Sequence, residues 1–301
     1  MTAPTHAWRR APSAAAYMLR AFLPSPGWRG DRAVPDLLLQ WNGYRVDAAE
    51  RDALQAGAGE AAQDPDPLRI LYPQVTGFRL VMALLTHRRW PLPIWNALQV
   101  RSRLRRLRAA PPDEPGVLTV SASGWRVLEK GVEIDVRLVQ QCAGVPLWEG
   151  VTTFYYRGRH GEPASGGGDL GAPAAAPSAA VPDASGAGDT FHWTTPTGDR
   201  RRYGRLTGDY NGLHLWDGYA RRMGFPAAFA HPQRVVAQCL ARLGPPPDGA
   251  DCLDLWVKGP VFYGRPVTMQ SESDPAARRT TFSLRLDGDA RPALVGVRSA
   301  A

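Results

Sequence analysis

Residues 161–188 are mostly Gly, Ala, Pro and Ser, with hardly any large apolar side chain, and this stretch constrains the fold more than any other. A segment of that composition buries too little apolar surface to offset the entropy lost on ordering. It reads as a flexible linker over 161–190, leaving an N-terminal arm over 1–34, a first domain over 35–160 and a second over 191–301. In a chain of 301 residues, each half is long enough to build a core.

The two halves read in the same order, helix first and strands after, as an internal duplication would. In the second half a short helix is expected over 215–223. A longer one starts at Pro232, with Val235, Val236, Cys239, Leu240 and Leu243 on one stripe. Proline suits a first helical turn, where an N–H would lack a partner anyway. Strands are expected at 253–258, 266–273, 279–286 and 292–298. Phe282, Leu284 and Leu286 alternate with Ser283, Arg285 and Asp287, the period of a half-buried antiparallel strand. In the first half Phe78, Val81, Met82 and Leu85 mark a helical stripe, followed by strands at 98–104, 117–127, 132–141 and 147–156. A helix followed by an antiparallel meander, twice over, makes an α+β chain.

No apolar run approaches the roughly 20 residues that a bilayer-spanning helix needs. The first thirty residues carry arginines and no acid before Asp31, but Pro24 and Pro26 interrupt them and no apolar h-region is present. They read as an arm lying on the body, with a short helix over 14–23. Cys142, Cys239 and Cys252 are far apart and odd in number, with no zinc-type spacing, so free thiols in a reducing, cytoplasmic compartment are expected. The net charge of +8, almost all from arginine, suits an anionic partner without choosing one. No phosphate loop, dinucleotide fingerprint, nucleophile elbow or nucleic-acid module is present.

Chemistry concentrates in Thr207-Gly208-Asp209-Tyr210-Asn211-Gly212-Leu213-His214, followed by Gly224-Phe225-Pro226 and Ala230-His231-Pro232. A carboxylate and an imidazole five residues apart across a Gly-rich turn can take and return a proton on one water molecule. Asp-x-Asn is also an ordinary turn, in which Asp209 caps and His214 opens a helix.

From residue 204 to 298 the pattern resembles the MaoC-like acyl dehydratases, or (R)-specific enoyl-CoA hydratases. These typically show Gly-Asp-x-Asn-Pro-x-His, a short helix, Gly-Phe, and a His-Gly pair opening a central helix. The resemblance implies two tandem hotdog units, a double hotdog, with a degenerate first half shaping an acyl pocket. It implies reversible hydration of a trans-2-enoyl thioester to the (R)-3-hydroxyacyl thioester, carried by Asp209 and His214. Gly208, Asn211, His231 and Gln233 would support that site. No metal or redox cofactor is implied; coenzyme A or acyl carrier protein enters as part of the substrate.

The pattern departs from the family at two positions. Gly212 replaces proline, which loosens the turn. Pro232 replaces the glycine whose N–H faces the thioester carbonyl, and proline has no N–H to offer; the amide of Gln233 is next in line. Other readings therefore stay open: a non-catalytic acyl-thioester binding or scaffold protein, and a hotdog thioesterase. In the first half Trp90, Pro91, Pro93 and Trp95 suit either an apolar tunnel wall or the core. Arg101, Arg103 and Arg105 share one strand face, as phosphate contacts for coenzyme A or a carrier protein, or as charges guarding an edge strand. Neither nucleic acid nor a membrane is an expected partner, and a monomer or a homodimer fits a double hotdog.

Overall fold

Two copies of one unit lie side by side in the computed structural model, which describes residues 4–30, 33–59, 66–109, 114–167, 171, 188–244 and 251–300. The first unit contains β2 (Leu38–Tyr44), α2 (Ala48–Ala58), α3 (Tyr72–Thr76) and α4 (Phe78–Leu85). Its later strands are β3 (Ala97–Arg106), β4 (Gly116–Leu128), β5 (Gly131–Cys142) and β6 (Val145–Arg157). The second contains β8 (Asp189–Thr194), α5 (Arg200–Thr207), α6 (Gly212–Leu215), α7 (Asp217–Arg222) and α8 (Pro232–Leu243). Strands β9 (Asp251–Val257), β10 (Pro266–Asp274), β11 (Arg279–Leu286) and β12 (Leu294–Ala300) complete it. Ahead of both lie β1 (His6–Trp8) and α1 (Ala14–Ala21), and β7 (Ala164–Gly167) follows β6.

The strands join in one sheet, β1-β2-β4-β5-β6-β3-β9-β12-β11-β10-β8. Reading outward from the middle, β3, β6, β5, β4 and β2 of one half match β9, β12, β11, β10 and β8 of the other. The expected duplication is therefore present in the topology. The junction is the antiparallel pair β3–β9, with Leu104 opposite Leu253 and Arg101 opposite Trp256. Each half lays its apolar helix, α4 or α8, on the sheet, and one continuous hydrophobic core takes residues from both halves. Gly77 lies between α3 and α4 at a site with no room for a Cβ, which would collide with the Pro73 carbonyl and with Leu118.

The helix expected over 215–223 is instead two, α6 and α7, broken at Trp216, whose backbone is extended. Asp217 anchors the second by accepting the Ala228 N–H at 3.0 Å and Arg200 Nη1 at 3.1 Å. Residues 168–170 and 172–187 of the expected linker lie outside the described residues. Its beginning is not free chain: β7 pairs with Gly124–Val127 of β4. Backbone hydrogen bonds hold β7 there, and Gly166 packs so close to the Trp125 ring that a Cβ would press on it.

The three arginines of β3 do share one face, as alternation requires, but on the side opposite the core residue Leu104. None of the three lines the cavity, and β3 is central rather than an edge; each guanidinium meets a carboxylate on another strand, β5 for Arg101, β9 for Arg103 and β6 for Arg105. Arg101 grips Glu133 through two bonds of 2.7 and 2.6 Å, Arg103 grips Asp254 at 2.7 and 2.8 Å, and Arg105 reaches Glu149 at 3.2 Å. Arg126 adds bonds to Glu133 at 3.0 Å and to the fully buried Asp135 at 2.8 Å. Burial pushes the Glu133 carboxyl up, but the bonds and charges of Arg101 and Arg126 outweigh it and hold it below its ordinary range.

Candidate active site

The turn after α5 is built from side chains bonding their own backbone. Gly208 ends the helix at φ +74°, and a Cβ there would also strike the Tyr17 hydroxyl and Arg79. Thr207 Oγ1 accepts the Asp209 N–H at 3.1 Å, Asp209 Oδ1 accepts the Asn211 N–H at 3.0 Å, and Asn211 Oδ1 accepts the Leu213 N–H at 3.1 Å. These are successive Asx-type turns, the last capping α6. They use one carboxylate oxygen of Asp209 and leave Oδ2. Gly212 does more than loosen this turn, since a Cβ would meet the Tyr219 ring at 2.6 Å.

His214, on α6, donates Nδ1–H to the Phe229 carbonyl at 2.9 Å; a carbonyl only accepts, so the neutral ring keeps its lone pair on Nε2. That Nε2 lies 3.8 Å from Asp209 Oδ2. The two do not bond directly, and a single water molecule can bond to both across such a gap. His231 lies behind them at 1% exposure, donating Nε2–H to the Asp209 carbonyl at 3.1 Å. Its ring stacks on His214 with centroids 3.9 Å apart. Burial, and then the neighbouring His214, push its pKa well below the ordinary value, so it is neutral at pH 7.

Donor atoms of Asp209, His214 and His231 fall within 4.8 Å of one another. The arrangement suits a metal ion poorly. His231 Nε2 already carries the proton given to the Asp209 carbonyl, so of the three residues only Asp209 and His214 have a free donor atom facing the others.

Asp209, Asn211, His214 and Pro232 lie on the wall of a cavity of about 360 Å³, whose remaining lining is mainly apolar and comes from both halves and the arm. The first half contributes Phe78, Met82, Trp95 and Gln99, and α1 contributes Met18. Of the four candidates for a tunnel wall, Trp95 lines the cavity, whereas Pro91 and Pro93 do not. Trp90 is core, its indole N–H bonded to the Tyr156 hydroxyl at 3.3 Å. Gln233 faces the cavity and donates Nε2–H to Gln99 Oε1 at 3.1 Å. Pro232 is the first residue of α8, and the Arg234 and Val235 N–H groups both go to the His231 carbonyl.

Two residues missed in sequence belong to this site. Tyr17 of the arm donates its hydroxyl to the Gly208 carbonyl at 2.6 Å, and nothing local to the arm signals that contact. Strict alternation along β3 would put Gln99 beside Arg101 on the outer face. A register shift between Gln99 and Arg101 in the β3–β6 pairing turns it inward instead.

Two helix-backed antiparallel units in one continuous sheet, with an acid–imidazole pair at a shared apolar cavity, define a double hotdog protein. Solved structures agree on the fold. HtdX of Mycobacterium tuberculosis is 21% identical, with 88% of this chain and 100% of that one covered at a TM-score of 0.66. A MaoC-like dehydratase from Phytophthora capsici is 15% identical, with 89% and 95% covered at a TM-score of 0.66. A conserved hypothetical protein of M. tuberculosis described as having a double hotdog fold is 17% identical, with 92% and 99% covered at 0.53. No protein-family model and no curated protein matches the sequence.

Proposed function

We propose that this chain is a MaoC-like hydratase that adds water to a trans-2-enoyl thioester, giving the (R)-3-hydroxyacyl thioester, and runs the reverse dehydration. The observation that carries the reading is the pair Asp209 Oδ2 and His214 Nε2, 3.8 Å apart on the wall of an apolar cavity. Water held between them gives a proton to Asp209 as its oxygen bonds to the β-carbon. The double-bond electrons move toward the thioester carbonyl, and the proton, passed within the pair, is delivered to the α-carbon. H and OH are added, and the protein is left with no net proton. Asn211 holds the turn, His231 fixes the Asp209 backbone, and Trp95, Phe78 and Met82 offer an apolar surface to the acyl chain. No metal or redox cofactor enters this reading, and coenzyme A or acyl carrier protein supplies the thiol part of the substrate.

The test is the loss of enoyl absorbance when the protein meets short and medium trans-2-enoyl-CoA. Asp209→Asn and His214→Ala should each lower turnover by about 10²–10⁴-fold. Unchanged rates in both variants would sink the reading. Pro232 favours one competitor, an acyl-thioester binding protein without turnover. That protein would bind acyl-CoA in calorimetry, leave the absorbance unchanged, and gain hydration only with Pro232→Gly.

A further inference from the structure

A row of buried and half-buried polar side chains runs from the cavity wall into the first half. Gln233 Nε2 donates to Gln99 Oε1 at 3.1 Å, Gln99 Nε2 to Ser102 Oγ at 3.0 Å, and Gln74 Nε2 to Thr152 Oγ1 at 2.9 Å. The Ser102 and Thr152 hydroxyls, 3.3 Å apart, close the row. Gln74, Ser102, Thr152 and Gln233 are all buried, and such a row is costly to bury unless its members satisfy one another. Apolar side chains would fill the same space. What the row achieves is to hold the Gln233 amide in one orientation against the cavity.

The backbone of β3 is shaped for this. Strict alternation would place Gln99 beside Arg101, which faces outward to Glu133. The irregularity at Val100 places Gln99 on the Ser102 side instead. Bulges of this kind re-aim a side chain, and here the aim is at the second residue of α8. Among the described residues, Gln233 has one N–H bonded to Gln99 and a second with no partner. It follows directly on Pro232, which has no N–H to give at the first position of the helix.

We infer that the side-chain amide of Gln233 donates to the thioester carbonyl oxygen, replacing the backbone N–H that Pro232 lacks, with Gln99 as its positioning residue. As water bonds to the β-carbon, negative charge gathers on that oxygen, and a donor already aimed there stabilises the charge without reorganising. A loose glutamine would be a poor substitute for a backbone amide; one locked by Gln99, Ser102, Thr152 and Gln74 is not loose. The inference rests on the hydratase reading.

The experiment is steady-state hydration of trans-2-enoyl-CoA by the full chain, with kcat and KM separated and thermal unfolding in parallel. The variants are Gln233→Met, Gln99→Met, each of these with Pro232→Gly, and Asp209→Asn as reference. Gln233→Met should lower kcat by about 10²–10³-fold with KM changed only a few-fold, the loss typical of one oxyanion donor. Gln99→Met should lower kcat less. Adding Pro232→Gly should recover at least about tenfold in both, since it restores a helix-start N–H, a rescue that a purely structural role would not show. Near-wild-type kcat in Gln233→Met, with Asp209→Asn inactive, overturns the inference and leaves the hydratase reading standing. A loss that Pro232→Gly does not recover also overturns it. A wild-type chain that hydrates no enoyl-CoA overturns the hydratase reading and this inference with it. If Gln233→Met does not fold, Gln99→Met, which leaves Gln233 in place, decides by the same rescue.

Discussion

His231 is the residue whose burial has the clearest consequence for stability. Its pKa in the folded chain lies well below 6.5, because burial first, and then His214, disfavour the charged ring. The unfolded chain binds that proton at the ordinary pKa, so below about pH 6.5 the unfolded state takes up a proton that the folded state refuses. The contribution is complete above pH 6.5 and is lost as pH falls toward the folded pKa, at up to about 1.4 kcal/mol per pH unit. Gln at this position keeps a donor for the Asp209 carbonyl but cannot be protonated. His231→Gln should therefore start less stable at pH 7.5, by about 1–3 kcal/mol, and lose less than the wild type between pH 7.5 and 5.5. Urea midpoints across that range test it, and parallel pH profiles would refute it.

At the scale of elements, what could be read from the chain was what alternates sharply. Strands β4, β5, β10 and β11 carry apolar–polar alternation, β6 is a mostly apolar run, and α4 and α8 carry apolar stripes, so each appears within a few residues of its expected bounds. Helix α5, Arg200–Thr207, has arginine at half of its positions and buries only Tyr203, Gly204, Leu206 and Thr207, so no stripe shows. Helix α2 is announced by the Asp47–Glu50 capping box rather than by periodicity. The Asp209–His214 turn was legible because its bonds are local in sequence. Gln99 was not, because a bulge inverts the face that alternation assigns. The arginines of β3 were placed on the correct face but given the wrong partners, since their carboxylates lie on other strands. That partnership can be tested. Glu133 sits between Arg101 and Arg126, so Glu133→Leu leaves two guanidiniums with a carboxylate removed and should cost about 3–5 kcal/mol. Adding Arg101→Met removes one stranded charge and should recover part of that loss. Denaturant unfolding of Glu133→Leu, Arg101→Met and the double variant measures it; a double variant as weak as the sum of the single losses would rule the pairing out as the cause.

At the scale of the molecule, the acid–imidazole pair belongs to the second half, but the cavity does not. Gln99, Trp95, Phe78 and Met82 come from the first half, and Tyr17 reaches from the arm to the carbonyl beside Asp209. The halves meet along β3–β9, and separating them would expose both strands as unpaired edges and open the shared core. A duplication in which each half had kept its own pocket would tolerate that separation. This one should not, because its second half has surrendered one wall of the cavity to its neighbour. Cutting after Gly167 leaves β7 with its partner β4 and places the break outside every strand pairing among the described residues. Residues 188–301 produced alone should show no enoyl-CoA hydration and should self-associate or aggregate through β9 in size-exclusion chromatography. The same segment produced together with residues 1–167 should co-elute with it and recover turnover. Full activity from the second half alone would show that the first half is dispensable to the site, and would count against a shared cavity as the place where the substrate binds.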